Sequence, residues 1–294
     1  MIKEHSSFKD YSTGTLYLVP TPIGNLDDMS VRAVQTLKDV DLIAAEDTRN
    51  TQKLLNHFDV KTKQISFHEH NTQERIPELI EKLQNGISIA QVSDAGMPSI
   101  SDPGKELVAA CVKHDLTVVP ISGPNAALLA LIASGINPQP FYFYGFLPRK
   151  KSLLHQELGK LSQLTDTFIL YESPYRIKKT VDHLITAFGE SRQVVLAREL
   201  TKIHEAFLRG SLSEIKQYYT EHDPRGEYVI IVSGKAEDPD KLAEELTDQD
   251  IKDLVQAQIK RGSKPNQAIK QITKQYNLNR KHVYNLVHDL GDNN

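Results

Sequence analysis

The sequence predicts two consecutive α/β domains followed by a small helical C-terminal domain. Three observations carry that prediction. Short apolar runs and amphipathic stretches alternate five times between Thr15 and Gly135, the pattern of a mostly parallel sheet with crossover helices. A second set of strand-like runs begins after the proline-rich linker Ile136-Asn137-Pro138-Gln139-Pro140. Beyond Ala236 the charge pattern splits in two: Glu237 to Leu254 carries eight acidic and two basic residues, and Val255 to His288 carries seven basic residues and no acidic one. The resulting boundaries are a flexible N-terminus at 1–14, a first domain at 15–136, a second at 137–235 and a basic helical domain at 236–294.

Each element has a local reason. Thr15 to Val19 is a first strand, ended by Pro20 and Pro22. Ser30 suits the N-cap of a helix with Val31, Val34 and Leu37 inward. A strand at Val40 to Ala45 runs into Glu46-Asp47-Thr48-Arg49 and a helix around Gln52 to Phe58. A short strand at Gln64 to Phe67 precedes His68-Glu69-His70-Asn71. Gln73 to Asn85 reads as a helix with Ile76, Leu79, Ile80 and Leu83 inward and Gly86 as its stop. The Ile87 to Val92 strand enters the twelve-residue loop Ser93 to Gly104, after which Leu107 to Ala110 is helical. A strand at Thr117 to Ile121 leads to Ser122-Gly123-Pro124-Asn125-Ala126 and a helix closed by Gly135.

In the second domain, strands are expected at Phe141 to Phe146, Thr167 to Tyr171, Gln193 to Ala197, Glu205 to Arg209 and Glu227 to Val232. Helices are expected near Leu153 to Leu161, Tyr175 to Phe188 (stopped by Gly189) and Leu212 to Tyr219, with Ser173 as an N-cap and Pro174 at the first helical position. The last strands lie close together in sequence, so this sheet is expected to be mixed. In the C-terminal domain two helices fit, Asn266 to Gln275 and Arg280 to Leu290, with Asn279 capping the second in a helix-turn-helix-like pair.

Composition narrows the function classes. The chain has 294 residues, 39% hydrophobic and 25% charged, with a net charge of −3, so the whole molecule is not a general polyanion binder. One cysteine, Cys111, excludes an internal disulfide and reads as a buried inert thiol. No apolar run approaches the roughly 18 residues of a membrane span, and the polar start has no signal-peptide core, so a cytoplasmic location without membrane partners is expected. The first strand is not followed by G-x-G-x-x-G, and neither a Walker A pattern nor a G-x-S-x-G elbow occurs. His68 and His70 flank Glu69, but no third ligand motif accompanies them, and the plain reading is a hydrogen-bonded loop without a metal.

Polar clusters follow four strands of the first domain: Thr21 to Asn25, Glu46 to Arg49, Ser93 to Gly104 and Ser122 to Asn125. In a parallel sheet these share one edge, where ligands bind. Glu46-Asp47-Thr48-Arg49 and Arg198-Glu199-Leu200-Thr201-Lys202 fit either ligand contact or helix capping with local ion pairs; spacing does not choose between them. Physics alone reaches a cleft at strand ends and a basic tail, and does not name a reaction.

Six ordered blocks add a resemblance. They are Thr21-Pro22-Ile23-Gly24-Asn25-Leu26, Glu46-Asp47-Thr48-Arg49, Ser93-Asp94-Ala95-Gly96 with Ser101-Asp102-Pro103-Gly104, Gly145-Phe146-Leu147-Pro148, Tyr171-Glu172-Ser173-Pro174, and Arg198-Glu199-Leu200-Thr201-Lys202. From Thr15 to Gly234 the chain resembles the tetrapyrrole methylase superfamily, and within it the branch that methylates ribosomal RNA. The resemblance implies S-adenosylmethionine bound between the two α/β domains, transfer to the ribose 2'-hydroxyl of a cytidine in the decoding region of 16S rRNA, and a homodimer. The substrate would be 16S rRNA or the small ribosomal subunit. Pro22, Ile23, Gly24, Asn25, Ser93, Asp94, Ala95, Gly96, Ser122, Gly123, Pro124 and Ala126 would line the cofactor site from the first domain, with Tyr171 and Ala197 from the second. Lys202, Glu199, Asp47 and Glu46 are the candidate catalytic residues. Arg49, Lys264, Lys270, Lys274, Arg280 and Lys281 are the candidate RNA contacts. Met97 stands where that branch usually has threonine, Ser122 replaces a usual Pro or Gly, and an arginine often found after Leu147-Pro148-Arg149-Lys150 is missing. Two alternatives stay beside this reading: a small-molecule tetrapyrrole methyltransferase, and a non-catalytic ribosome-binding protein.

Overall fold

A computed structural model describes residues 4–7, 12–235 and 246–288. The chain divides into two compact units between Ser233 and Gly234. The expectations for 1–3, 8–11, 236–245 and 289–294, including the last residues of the final helix, lie outside the described residues.

The first sheet comprises β1 (Leu16–Leu18), β2 (Leu42–Ala45), β3 (Gln64–Ser66), β4 (Ile89–Val92) and β5 (Val118–Pro120), in the order β3-β2-β4-β1-β5. All its pairs are parallel, as the alternation required. Its helices are α1 (Val31–Asp39), α2 (Thr48–His57), α3 (Thr72–Gln84) and α4 (Lys105–Lys113). Helices α1 and α2 bury Ala33, Leu37 and Leu55 against Val19, Ile43 and Val92 on one face. Helices α3 and α4 bury Leu79, Leu83, Leu107 and Cys111 against Leu16, Ala44 and Ile89 on the other. Covering both faces is what allows an all-parallel sheet. Burial also pushes the Cys111 thiol up to about 12, which keeps it protonated and inert.

α5 (Ala126–Ser134) follows β5 but packs elsewhere. Its Ala127, Ala130 and Leu131 pack against Ile169, Val195, Ala197, Val229 and Ile231 of the second sheet. This helix is therefore the bolt between the two sheets. The second sheet comprises β6 (Phe141–Phe146), β7 (Thr167–Glu172), β8 (Gln193–Arg198), β9 (Ala206–Ser211) and β10 (Tyr228–Val232). Its order is β6-β7-β10-β8-β9; only β6 and β7 are parallel, so the sheet is mixed as expected. Its other face is covered by α6 (Lys151–Leu161), α7 (Ile177–Phe188) and α8 (Leu212–Glu221).

Several caps match their sequence signals. Ser30 accepts from Ala33 N at the start of α1, and Gly135 (φ +81°) and Gly189 (φ +85°) end α5 and α7 in conformations that favour glycine. Two expectations are corrected. Val31 is 87% exposed, because α1 buries Ala33 and Leu37 on its inward face instead. Ser173 is not an N-cap: residues 174–176 form a turn, and α7 starts at Ile177 after Arg176 without a side-chain cap. Ser173 contributes its carbonyl instead, accepting from Arg176 N and Ile177 N.

The second unit contains α9 (Asp248–Lys260), α10 (Pro265–Gln275) and α11 (Arg280–Val287). The first of these is not expected from the acidic composition of its segment. Yet Ile251 and Val255 repeat at helical spacing behind a Thr247–Asp250 capping box, and both are buried. They pack with Ala268, Ile269, Ile272 and Val283, so the module is a three-helix cluster. Asn279 caps α11, accepting from Lys281 N and His282 N. Among the described residues no helix is long and apolar enough to cross a membrane.

Candidate functional site

The strand-end loops of the first sheet are stitched together by their own polar groups. Thr21 and Gly96 exchange backbone hydrogen bonds at 3.0 Å. The Thr21 hydroxyl donates to the Ser93 carbonyl at 3.0 Å. Gly96 takes φ +78°, and a Cβ there would lie 3.3 Å from Ile23 Cγ2, so a larger residue would press on the loop after β1. The Asp94 N–H points at Glu46 Oε2 at 3.3 Å, and Asn50 Nδ2 donates to Asp94 Oδ2 at 3.2 Å. Asn125 Oδ1 caps α5 at Leu128 N, while its Nδ2 donates to Met97 Sδ at 3.6 Å. The loops after β1, β2, β4 and β5 thus form one continuous rim.

Between this rim and the second sheet lies a cleft of about 430 Å³. Ile23, Ala95, Gly96, Met97, Asp102, Asn125 and Ala126 line one side. Phe146, Tyr171, Ala197, Leu200 and Val229 form an apolar wall opposite, with Glu199, Lys202 and Glu227 beside it. Tyr171 is held edge-on by Phe143 at 5.1 Å and Phe146 at 5.5 Å between ring centroids. Burial raises the Tyr171 pKa, so its phenol stays neutral. A smaller cavity of about 240 Å³ is lined by Pro22, Gly24, Asn50, Lys53, Ser93 and Asp94 among others.

The expected cofactor residues are therefore divided. Ile23, Ala95, Gly96, Ala126, Tyr171 and Ala197 line the larger cleft. Pro22, Gly24, Ser93 and Asp94 line the smaller cavity. Asn25, Ser122, Gly123 and Pro124 line neither cavity. Asn25 caps the 3₁₀ turn Leu26–Asp28 and donates its N–H to Thr201 Oγ1 at 3.0 Å, tying the loop after β1 to the β8–β9 loop. Ser122 accepts from Ser30 Oγ, and Gly123 packs against Pro20 so closely that a Cβ would lie 2.7 Å from it. Pro124 is buried beneath the rim.

The four candidate catalytic residues differ in charge state. Partial burial by itself would lower the Lys202 pKa, but hydrogen bonds to Glu199 and Glu227 outweigh it and the pKa rises. Glu199 is lowered: its own desolvation is overcome by the Glu227 backbone N–H and by Lys202. Asp47 caps α2 at Arg49 N and grips the Arg49 guanidinium with both oxygens, which holds its carboxyl down at about 2. Here the capping and ion-pair reading of that block is realised. Glu46 is raised, first by burial and then by Asp102, Asp94 and Asp47, against the opposing Asp94 N–H.

Asp102 is not among the residues expected at the site, yet it lines the larger cleft and its pKa is also raised by burial. A carboxyl in a small-residue loop after a strand is the signal that could have found it. Glu227, Tyr228 and Val229 are missed too, because the start of a strand carries no local motif. The candidate RNA contacts Lys264, Lys270, Lys274, Arg280 and Lys281 lie in the second unit, where all five are exposed; Arg49 is exposed in the first. Among the described residues no group of three or more His, Cys, Asp or Glu could hold a metal ion; His68 and His70 lie past the end of β3, with ring centroids 6.1 Å apart.

Comparison with known proteins gives consistent relatives. A protein of Streptococcus pyogenes serotype M3 (strain ATCC BAA-595 / MGAS315), named ribosomal RNA small subunit methyltransferase I, is 56% identical over 285 residues, covering 97% of this chain and 98% of its own. The protein of the same name from Bacillus subtilis (strain 168) is 44% identical over 293 residues, covering 98% and 99%. The solved structure of a uroporphyrin-III C-methyl transferase from Thermus thermophilus complexed with S-adenyl homocysteine shares the fold, at TM-score 0.54 and 15% identity over 75% of this chain and 97% of that one. The family model described as Tetrapyrrole (Corrin/Porphyrin) Methylases matches residues 15–216. With most of both sheets inside that match and relatives alike over nearly their whole length, the chain belongs to the tetrapyrrole methylase family.

Proposed function

We propose that this chain transfers a methyl group from S-adenosylmethionine to the ribose 2'-hydroxyl of a cytidine in the decoding region of 16S rRNA. The observation that carries the reading is the likeness, over nearly full length, to proteins named for small-subunit rRNA methylation. A lysine- and arginine-bearing helical module at the C-terminus agrees with a polyanionic substrate. A tetrapyrrole acceptor would give that module no task.

The residues present fit the donor. A cleft of about 430 Å³ lies within the roughly 300–1,000 Å³ of small-ligand sites. Tyr171, Ala197, Leu200 and Val229 offer an apolar and aromatic surface to a purine, and Asp102 and Glu199 offer carboxylates to positive charge. When bound, the donor supplies a methyl group already activated by a positively charged sulfur. The protein's work is then alignment of the attacking oxygen and removal of its proton.

Among the candidate bases, Glu46 fits that removal best. Lys202 is kept protonated by two carboxylates, Glu199 is engaged with it, and Asp47 is committed to Arg49. Glu46 has a raised pKa and stands behind the rim, beside the smaller cavity's Asp94. The ribose would enter from that smaller cavity, with Asn50 and Lys53 holding its neighbours. Asp102 would face the donor from the larger cleft. The enzyme would act in the cytoplasm as a homodimer. The test is transfer from labelled donor to small subunits from a strain lacking the gene. About one methyl per particle is expected, and none would sink the reading.

A further inference from the structure

We propose that the N-terminal rim of α6 and α7 is a second RNA contact, in which Tyr175 stacks on a base flanking the target and Arg149, Lys150, Lys151 and Lys179 hold the adjacent phosphates. This rests on the rRNA reading above and adds a surface carried by the first unit itself.

The rim is built from the inside. β6 and β7 run parallel and both end at the larger cleft, through Phe146 and Glu172. The helices that follow them therefore start at the cleft's edge. His155 of α6 and His183 of α7 approach within 6.1 Å between ring centroids. One turn nearer the edge on each helix stand Lys151 and Lys179, which this parallel packing makes neighbours. The turn carrying Tyr175 is fixed to the same place. Arg176 donates Nη2 to the Leu147 carbonyl at 3.2 Å, and its Nε faces the buried Glu172 at 3.6 Å. Tyr175 is thus pinned beside the Leu147–Lys151 segment while its own side chain remains 93% exposed.

Charge makes the surface selective. The acidic groups nearby are already engaged: Glu157 with Lys160, Asp182 with Lys216, Asp223 with Lys178, and Glu172 with Arg176. Arg149, Lys150, Lys151 and Lys179 have no acidic partner among the described residues, and all four are exposed. A single exposed apolar residue is ordinary. A fully exposed tyrosine fixed among four uncompensated cations, at the mouth of a cleft, matches the stacking platform and electrostatic track of single-stranded nucleic acid binders. Phe146, also exposed, continues the aromatic surface inward to Tyr171.

The test uses the full chain and small subunits from a strain lacking the gene. K150E/K151E/K179E and, separately, Tyr175→Ala should raise KM for the particle by roughly tenfold or more, with kcat within about twofold and unchanged cofactor affinity. Tyr175→Phe should behave as the wild type, because a phenyl ring stacks as well. The triple variant should also flatten the salt dependence of particle binding, by roughly 0.7–0.9 in the log–log slope for each phosphate it no longer holds. An active wild type whose variants keep its KM and slope would overturn the rim. An inactive wild type would overturn the rRNA reading itself, and the rim with it.

Discussion

Lys202 Nζ lies 2.9 Å from Glu199 Oε1, and Glu227 Oε2 closes on the same ammonium at 3.2 Å. The β8–β9 loop is thus held at the cleft's edge by a charge cluster, beside its buried Leu200. Its pH behaviour follows from the signs. The lowered Glu199 pKa contributes stability that is present above its unfolded value and lost as pH falls through the folded one. The raised Lys202 pKa contributes stability that is present below its unfolded value and lost as pH rises through the folded one. Lys202→Gln should therefore destabilise the protein by an amount that is flat between roughly pH 5 and pH 9 and shrinks at both ends. Denaturant titrations across pH read this directly.

Glu46 behaves in the opposite sense to Glu199. Burial raises its pKa, so its contribution favours folding at low pH and is lost as pH rises through the folded value. Glu46→Gln should raise the midpoint of thermal unfolding at pH 7 and do little at pH values below the ordinary carboxylate range. If Glu46 removes the ribose proton, the same change should cut the transfer rate by about 100-fold and abolish the ascending limb of the pH–rate profile. A variant that stays fast and keeps that limb would move the base elsewhere.

Gly24 makes a close approach with a functional consequence. A Cβ there would lie 2.4 Å from Lys202 Cγ and 2.8 Å from Thr201 Oγ1, so the loop after β1 can dock on the β8–β9 loop only without a side chain. Gly24→Val should push the two loops apart, break the Asn25 N–Thr201 Oγ1 bond, and weaken cofactor binding by roughly tenfold, about 1.4 kcal/mol. Calorimetric titration of the donor checks it. Unchanged affinity would mean that this loop docking does not shape the cleft.

Much of this architecture is legible in the sequence because local and global signals agree. Ser30, Gly135 and Gly189 sit where helices start and stop, and the strand-end polar clusters do meet on one rim. What sequence cannot carry is tertiary choice. Val31 and Ala33 both fit an inward face, and only packing against β2 and β4 selects Ala33. Whether Asp47 is a free acid or a cap depends on where the Arg49 side chain folds. The division of the expected cofactor residues between two cavities depends on the Thr21–Gly96 bridge, a pairing between loops far apart in the chain. Likewise α9 is hidden because its acidic surface masks the Ile251–Val255 stripe.

The C-terminal module gives a separable prediction. Removing residues 236–294 should weaken binding to small subunits and reduce its salt slope while leaving donor affinity nearly unchanged, because the cleft residues all belong to the first unit. Filter binding at two or three salt concentrations measures it. Unaltered particle affinity would make Lys270, Lys274 and their neighbours a solvated face only.

The proposed function turns on the position of the methyl group. A ribose 2'-hydroxyl is the nucleophile in alkaline cleavage of RNA, so its methylation blocks the chain from breaking at that nucleotide. Small-subunit RNA from a strain lacking the gene, treated with the purified protein and S-adenosylmethionine, should show one new gap in its alkaline ladder, at a cytidine of the decoding region. Label incorporated without a gap, on a base or elsewhere, would contradict the account.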